Sequence, residues 1–384
     1  MKKILAPAII AMIICSTAAA SDQQFVVSGL QKPAEIIVDE WGVPHIFANT
    51  HYDAFFVQGF NAARDRLWQI DTWRRRGLGM LSEVFGEQYV MQDRATRLFL
   101  YRGDMYREWL AYGSDAKRIA EAFTAGINAY IDLLDEHTDL LPVEFEMLDY
   151  RPAKWNAADV VRIRSHGLLR NVSAEVRRAR IACEAGLVVD AARKQLEPDW
   201  TTRIPDGLDP CVIPEDVLNT YSLAKSAVSF ETPLRTVMNP LLSDGEIGHG
   251  SNNWVVAPSR TSTGRPILAS DPHRGHSVPS LRYITHLVAP GMNVIGAGEP
   301  SLPGISIGHN DRIAFGLTIF PIDQEDLYVY EKDDGKYRYQ DRWETFTSIS
   351  EQVLIRDQKA TTIELKFTRH GPVIYENDTH AFAV

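Results

Sequence analysis

Apolar residues recur at helical spacing through the first half of the chain. Within residues 53–76 one face carries an apolar stripe, formed by Phe56, Phe60, Ala63, Leu67 and Ile70. This pattern predicts a helix, which Gly77 and Gly79 are expected to end. Ser114 suits the N-cap of a second helix, whose stripe consists of Ile119, Phe123, Ile127, Tyr130, Ile131 and Leu134. Two further helices are predicted at about 157–170 and 174–195.

The second half changes to short β-branched and aromatic runs separated by turn residues, which is typical of strands. After an extended opening at 36–38 and 41–47, strands are predicted at 254–257, 267–269, 283–288, 294–296, 313–320, 326–330, 348–355 and 361–367. Pro, Asp, Thr and Ser dominate between 197 and 249, where only 217–230 indicates a helix. We expect this stretch to be an exposed connector. Helices followed by strands predict the α+β class.

Residues 1–20 have the pattern of an export signal. Lys2 and Lys3 give a positive start, residues 4–14 are apolar, and three alanines close the segment at 18–20. Cleavage is expected after Ala20, which would leave a periplasmic or secreted protein. The alternative, a membrane anchor, needs about 20 apolar residues, and this shorter run is interrupted by Pro7. No membrane span is expected downstream either.

Composition and charge narrow the class of protein. The 384 residues are 45% hydrophobic and 23% charged, which is a globular profile, and the length suits two domains or one large domain. The net charge is −10, and loss of Lys2 and Lys3 would leave 38 basic against 50 acidic residues, or −12. Because a nucleic-acid binder needs a basic footprint, no nucleic-acid partner is expected. Residues 380–384 form an apolar run without a turn or polar tail, so we expect a fragment.

Cys183 and Cys211 remain in the expected mature chain. Cysteines 28 positions apart in an exported protein are compatible with a disulfide, because the compartment is oxidising. Two unpaired buried thiols fit the sequence as well. No Cys-x-x-Cys pair is present, and this argues against a zinc site of the cysteine type.

The most distinctive stretch lies where the connector meets the first strand of the second half, and it reads Gly248-His249-Gly250-Ser251-Asn252-Asn253-Trp254. A cut after Gly250 would leave Ser251 as a new N-terminus. A free α-amino group has a reference pKa of about 7.7 to 8, so it could accept the proton of its own hydroxyl without a histidine base. On composition alone, a glycine-rich loop with an ordinary serine is the favoured interpretation.

Several ordered motifs resemble the penicillin acylase family of N-terminal nucleophile hydrolases, with acyl-homoserine lactone acylases as the neighbouring branch. Three motifs resemble the start of that family's β subunit: Ser-Asn-Asn-Trp-Val-Val at 251–256, Asp-Pro-His at 271–273 and Gly-His-Asn at 308–310. Three earlier motifs resemble its α subunit: Gly-Val-Pro-His-Ile at 42–46, Ala-Arg-Asp-Arg-Leu-Trp-Gln at 63–69 and Arg-Arg-Gly at 75–77. The resemblance spans about 35–384.

The resemblance implies an exported precursor that is cut into α and β subunits, which then stay together. Its expected parts are a signal peptide at 1–20, a helical α-subunit-like region at 21–200, a spacer at 201–250, and the first part of a β-subunit-like αββα core at 251–384. The chain would then be truncated within the β subunit.

The resemblance also assigns roles to residues. Ser251 matches the nucleophile that attacks an amide carbonyl and first makes the cut behind Gly250. His273 matches a position beside the nucleophile, where the backbone N–H steadies the amine. Ile319 falls where the family uses a backbone N–H as one oxyanion donor, and such preorganised donors are typically worth a few kcal/mol. The other donor, an asparagine side chain, would lie beyond Val384.

An acidic stretch matches the family's calcium-binding loop. Asp323 and Asp326 would be ligands together with the carbonyl of Glu325, and Glu175 is the expected third carboxylate. Hard oxygen ligands suit Ca²⁺, which would be structural and tie the two subunits together. Without the resemblance, a solvated acidic turn would be the first interpretation. No organic cofactor is expected.

Two other sites compete. Ser306 lies in Gly304-Ile305-Ser306-Ile307-Gly308, which satisfies the nucleophile-elbow pattern of α/β-hydrolases, but an elbow needs a helix after it, and 308–311 predicts a turn. Asp271, His273 and His276 are close enough in sequence for a zinc cluster, yet no metal-hydrolase motif accompanies them. His166 is interpreted as a packed or capped side chain.

The sequence therefore predicts an exported, self-processing amidase that hydrolyses N-acyl amide bonds of a small-molecule substrate. An acyl-homoserine lactone acylase is one alternative, favoured by His273 in place of glutamine. Asn171 and Val172, where relatives place an arginine and an aromatic residue, argue against a penicillin G pocket. A nonenzymatic exported binding protein, with the Gly250–Ser251 bond intact, is the other alternative.

Overall fold

The computed structural model describes residues 23–163, 171–193, 200–230, 250–319 and 322–384. The predicted signal segment 1–20, His166 and connector residues 231–249 lie outside the described residues. Helices dominate the described chain up to residue 225 and strands dominate it from residue 250. The predicted α+β class is confirmed.

The helices of the described residues are α1 (His51–Leu78), α2 (Ser82–Phe85), α3 (Val90–Phe99), α4 (Met105–Ala111), α5 (Ala116–Leu133), α6 (Val143–Met147), α7 (Ala157–Arg162), α8 (Asn171–Ala185), α9 (Leu187–Arg193) and α10 (Asn219–Lys225). At the start of α1, the Thr50 hydroxyl accepts a hydrogen bond from the Asp53 backbone N–H, which is the usual N-cap contact. At its end, Gly79 adopts the left-handed conformation with φ 65°, as expected for a C-terminal glycine.

The helix predicted at 53–76 is present as α1 and continues through Gly77, but it is kinked at Arg66, whose φ of −142° is not helical. Two other predictions need correction. The N-cap of α5 is Asp115, not Ser114. The single helix predicted at 174–195 is two helices, α8 and α9, because Gly186 between them has φ 85°, a conformation that no helix interior adopts. The short helices α2, α3 and α4 have no extended apolar stripe and were not predicted.

α1 and α5 pack with their backbones in close contact. A Cβ atom at Gly59 would lie 1.9 Å from the carbonyl oxygen of Phe123, and one at Gly126 would lie 1.8 Å from that of Phe56. The glycines therefore permit an approach that any side chain would prevent. The predicted stripes of both helices form the core here, and of their members only Ile119 is not fully buried.

The strands of the described residues are β1 (Glu35–Val38), β2 (Pro44–Phe47), β3 (Gly250–Val256), β4 (Ile267–His273), β5 (Tyr283–Ala289), β6 (Met292–Gly298), β7 (Ile307–His309), β8 (Ala314–Phe315), β9 (Tyr328–Asp333), β10 (Lys336–Tyr339), β11 (Arg342–Thr345), β12 (Thr347–Val353), β13 (Thr361–Phe367), β14 (Val373–Glu376) and β15 (His380–Ala383). They form a six-stranded sheet in the order β1-β2-β5-β6-β7-β8, a five-stranded sheet in the order β11-β10-β9-β15-β14, and the pairs β3–β4 and β12–β13.

The six-stranded sheet joins the two halves of the sequence. β2, which precedes every helix in the described ranges, pairs in parallel with β5, which follows Ser251, and His45 lies opposite His286. A cut at Gly250 would therefore leave two polypeptides that share one sheet. Of the predicted strands, 361–367 is confirmed at both ends, whereas of 313–320 only Ala314–Phe315 is a strand within the described residues.

The described part of the connector is held against the rest of the protein. Cys183 and Cys211 form a disulfide, with Cα atoms 5.1 Å apart, so the pairing that the sequence left open is made. Residues 200–212 are exposed or half-buried as expected. The expected exposure is wrong from residue 213 to residue 224, where Val217 and Tyr221 are buried in a cluster with Val172 and Phe382. Although this stretch is rich in Pro and Asp, its apolar residues at α10 are spaced three and four apart.

Candidate active site

The β3–β4 hairpin carries the predicted nucleophile. The two strands are antiparallel, with Gly250 opposite His273 and Ser251 opposite Pro272. The Ser251 hydroxyl donates a hydrogen bond to the carbonyl oxygen of Gly250. This contact keeps the serine oxygen beside the carbonyl group that a self-cleavage reaction would attack.

His273 lies beside the same peptide. A Cβ atom at Gly250 would be 3.4 Å from His273 Nδ1, so the imidazole ring borders the residue before the nucleophile. The other ring nitrogen, Nε2, lies 2.9 Å from Asp271 Oδ2. The hairpin thus brings Gly250, Ser251 and His273 together. Their catalytic roles stay predictions.

Arg274 is a residue of this site that sequence reasoning missed. Its Nη1 donates to the carbonyl oxygen of His273 at 2.7 Å and to that of Gly250 at 3.2 Å. The signal available in the sequence was a basic residue directly after the Asp-Pro-His motif. Its target could not be anticipated, because the contact depends on the hairpin register.

Ile319, the predicted oxyanion donor, follows a segment that crosses the hairpin. A Cβ atom at Gly316 would lie 2.7 Å from Ser270 Oγ and 3.0 Å from Asn253 Nδ2. Gly316 therefore packs directly on β3 and β4, three residues before Ile319. The Ile319 side chain is 44% exposed, which does not matter for a donor that uses only its backbone N–H. Its role remains a prediction.

The three predicted carboxylates Glu175, Asp323 and Asp326 converge, with one oxygen of each within 4.8 Å of the others. Burial raises the pKa of Glu175, and the charges of Asp323 and Asp326 raise it further. Such a cluster of hard, negatively charged oxygens fits the chemistry of Ca²⁺. Within the described ranges it is the one group of this kind.

Glu325 and Asn171 organise the acidic loop. Asn171 Nδ2 donates to Glu175 Oε1 at 2.8 Å, to Asp323 Oδ1 at 2.9 Å and to the carbonyl oxygen of Glu325 at 2.6 Å. The buried carboxylate of Glu325 accepts from the Tyr221 hydroxyl at 2.7 and 2.9 Å. The side chain of Glu325 is thus directed to α10, and only its carbonyl faces the cluster through Asn171.

A comparison with known families shows to which family the chain belongs. The model of the family described as penicillin amidase matches residues 33–384. The chain belongs to the penicillin amidase family.

Relatives of this penicillin amidase family member include two kinds of acylase. The penicillin acylase 2 proenzyme of Pseudomonas sp. (strain SE83) is 31% identical over 91% of this chain and 44% of that protein. The acyl-homoserine lactone acylase QuiP of Pseudomonas aeruginosa is 28% identical over 91% of this chain and 41% of that protein. The penicillin G acylase of Escherichia coli is 24% identical over 90% of this chain and 46% of that protein. The chain spans less than half the length of each.

The structure does not support either of the two competing sites, and this agrees with membership of the penicillin amidase family. Ser306 is followed by strand β7 and not by the helix that a nucleophile elbow requires. Asp271, His273 and His276 do not form a three-ligand group in the described part of the chain. Within the same described ranges, none of the helices combines the length and hydropathy that a bilayer span requires.

Proposed function

We propose that this protein is an exported, self-processing amidase in which Ser251 becomes an N-terminal nucleophile after the Gly250–Ser251 bond is cut. The carrying observation is the hydrogen bond from the Ser251 hydroxyl to the Gly250 carbonyl oxygen, in a chain that matches the family over 33–384. The Cys183–Cys211 disulfide supports export, because disulfides persist in oxidising compartments.

In the proposed reaction, the new α-amino group of Ser251 takes the proton of its own hydroxyl, and the oxygen attacks the carbonyl carbon of an N-acyl amide. The backbone N–H of Ile319 is the proposed donor to the developing negative charge, as the family resemblance implies. Collapse of the tetrahedral species returns the proton to the departing amine and leaves an ester on Ser251. Water then hydrolyses the ester and restores the free hydroxyl.

A cavity of about 440 Å³ is the proposed site for the acyl group. Its lining comes from both halves of the chain. The apolar part includes Trp68, Trp73, Val228, Phe230 and Leu281, and the charged part consists of Arg76 and Lys225. Ser277 and Pro279 also line it, and they follow His273 by only a few residues. A cavity of this size with aromatic walls suits an apolar acyl chain.

Ca²⁺ is part of the proposal as a structural ion. Glu175 would contribute from α8, and Asp323 and Asp326 from the loop before β9. A divalent cation there would neutralise three adjacent carboxylates and link the chain segments on either side of the cut. The ion takes no part in the amide chemistry.

The test is intact mass and N-terminal sequencing of the full-length protein made in a bacterial periplasm, beside its Ser251→Ala variant. We expect a polypeptide that begins Ser251-Asn252-Asn253-Trp254 in the unmodified protein and none in the variant. Ser306→Ala serves as the matched control and is expected to be cut normally. If the unmodified protein and Ser251→Ala both keep the Gly250–Ser251 bond, the proposal fails and a nonenzymatic binding protein takes its place.

An acyl-homoserine lactone acylase is the second candidate, favoured by the relative from Pseudomonas aeruginosa. Asn171 also bonds to the acidic loop and Val172 is fully buried, so neither side chain is available to line a penicillin G pocket. Release of amine from phenylacetyl, fatty-acyl, dicarboxyl and N-acyl-homoserine lactone substrates separates the candidates. Turnover of the lactones alone would favour the second.

A further inference from the structure

Arg274 is placed at the carbonyl oxygen on which charge would develop during self-cleavage. We propose that its guanidinium is the oxyanion donor of that reaction, so that Arg274 is a catalytic residue of self-processing. The inference rests on the proposed function, because it concerns the bond that Ser251 is proposed to cut.

The guanidinium is held in position before any reaction. Arg274 is half-buried, and its Nη1 is fixed by the His273 carbonyl at 2.7 Å while it reaches the Gly250 carbonyl at 3.2 Å. Gly250 and His273 are opposite each other in the β3–β4 register. The hairpin therefore sets the donor and the reacting carbonyl against each other, so little reorganisation is needed when the reaction begins.

The reaction needs such a donor because the amide of Gly250 is a poor electrophile. When Ser251 Oγ attacks the Gly250 carbon, a C–O bond forms and the π electrons of the carbonyl move to its oxygen. The C–N bond to Ser251 then breaks, the hydroxyl proton ends on the Ser251 nitrogen, and an ester joins Gly250 to Oγ. Addition of one water to the ester gives the Gly250 carboxylate and a free Ser251 hydroxyl.

Arg274 suits the changing charge along this path. The Gly250 oxygen carries a partial charge in the peptide, a full charge in the tetrahedral species, and shares a full charge in the product carboxylate. A cationic donor binds the charged forms more strongly than the peptide. An interaction that is stronger in the transition state than in the ground state accelerates the step.

The Ser251 hydroxyl and the Arg274 guanidinium approach the same oxygen in the intact peptide. During attack the serine oxygen turns to the carbonyl carbon and gives up this hydrogen bond. Of the two side-chain donors that the described residues give the Gly250 oxygen, one would then be lost at the moment its charge grows. Arg274 is the side chain that stays.

The test is the rate at which purified precursor is converted to two polypeptides, followed by intact mass in the unmodified protein, Arg274→Ala and Arg274→Lys. We expect Arg274→Ala to slow conversion roughly 100-fold or more, as loss of one oxyanion donor does elsewhere. Arg274→Lys keeps the charge without the forked geometry and should be intermediate. Arg312→Ala, which removes an exposed arginine near β8, should convert at the normal rate.

Added methylguanidinium, well below denaturing concentrations, separates chemistry from folding. It should accelerate conversion of Arg274→Ala and leave Ser251→Ala uncut, with unchanged circular dichroism in both variants. Conversion of Arg274→Ala at the normal rate would overturn the assignment while leaving the self-processing proposal intact. Slow conversion without rescue and with altered circular dichroism would overturn it too, in favour of a structural role. An uncut unmodified protein would instead refute the proposed function itself.

Discussion

The α1–α5 pair and the β3–β4 hairpin place their apolar residues in opposite ways. In the helical pair, Phe123 and Ile127 are fully buried, and two glycines bring the backbones into contact. In the hairpin, Trp254 is 56% exposed and Val255 is 72% exposed. Within the described residues, β3 and β4 also pair only with each other.

The helical pair is thus a source of stability, whereas the proposed chemistry lies on the hairpin. Amphipathic helices bury their stripes against one another, and the core that α1 and α5 form also takes in Tyr283 and Leu287 of β5. A two-stranded sheet is marginal by itself, and the hairpin is stabilised by neighbours such as Gly316. The bond proposed to be cut therefore lies on the less buried element, where water can reach it.

The largest expected effect comes from separating α1 and α5. Gly126→Leu would place side-chain atoms where the carbonyl oxygen of Phe56 lies, because even a Cβ atom there would be 1.8 Å away. Backbone cannot rotate aside as a side chain can, so we expect a loss of about 4 kcal/mol or more in the free energy of unfolding. Urea denaturation followed by circular dichroism measures it.

Gly113→Ala is the matched control, because a Cβ atom at Gly113 meets only the side chain of Asp115, at 3.6 Å. Its effect should stay within about 0.5 kcal/mol. Equal effects of the two substitutions would contradict the close backbone packing of α1 and α5.

The region around the Cys183–Cys211 disulfide is intermediate in burial between the helical core and the hairpin. α8 buries only Val172 and Val176, and the Cys183–Cys211 bond closes a loop with a sequence separation of 28. Replacing both cysteines by serine should lower the free energy of unfolding by about 3 kcal/mol, mainly because the unfolded chain gains freedom. Thermal unfolding of the variant and of the oxidised protein measures the difference. A variant as stable as the oxidised protein would show that α8 is held by packing alone.

Calcium should stabilise the same intermediate region. If Glu175, Asp323 and Asp326 bind Ca²⁺ only in the folded state, free Ca²⁺ at about 100 times its Kd should add about 2.7 kcal/mol. The midpoint of thermal unfolding would then rise on addition of CaCl₂ and fall with EDTA. The double variant Asp323→Asn/Asp326→Asn should not respond, whereas Asp311→Asn, in an exposed pair with Arg312, should respond fully. An unchanged midpoint in the unmodified protein would remove the structural ion from the proposal.

The smallest effect is expected on the hairpin. Val255→Thr keeps a β-branched residue in β3 and changes a side chain that is mostly exposed, so the free energy of unfolding should change by less than about 0.5 kcal/mol. Ile127→Thr, of similar chemistry in α5, should cost at least about 2 kcal/mol, because it leaves a hydroxyl in the buried core. Chemical denaturation compares them directly. A Val255→Thr loss as large as that of Ile127→Thr would show that the hairpin is buried in solution.

The sequence predictions were accurate for the buried helical pair and incomplete for the short elements. The stripes of α1 and α5 were predicted because a helix that packs on a neighbour must repeat apolar residues at three and four positions. The helix indicated at 217–230 is present but shorter, because the chain becomes extended at Ser226 and α10 spans only Asn219–Lys225. β14 and β15 were missed because short strands are defined by their partners, and β15 pairs with β9 about fifty positions earlier.

The candidate site was predicted in part for a similar reason. The motifs around Ser251, His273, Asp323 and Asp326 are contiguous in the sequence and carry the family resemblance. Arg274 and Asn171 were missed as partners, because their contacts reach Gly250 across a strand pair and Glu325 across 154 positions. Such contacts leave no trace in local composition.

The sequence by itself determined the α+β class, the stripes of the long helices, the family and the position of the proposed nucleophile. Each of these depends on periodicity or on a local motif, which a linear chain displays directly. Tertiary structure alone decided the Cys183–Cys211 pairing, the parallel pairing of β2 with β5, and the approach of Arg274 to Gly250. These depend on which distant backbones come within a few ångströms, and that follows from packing the whole chain.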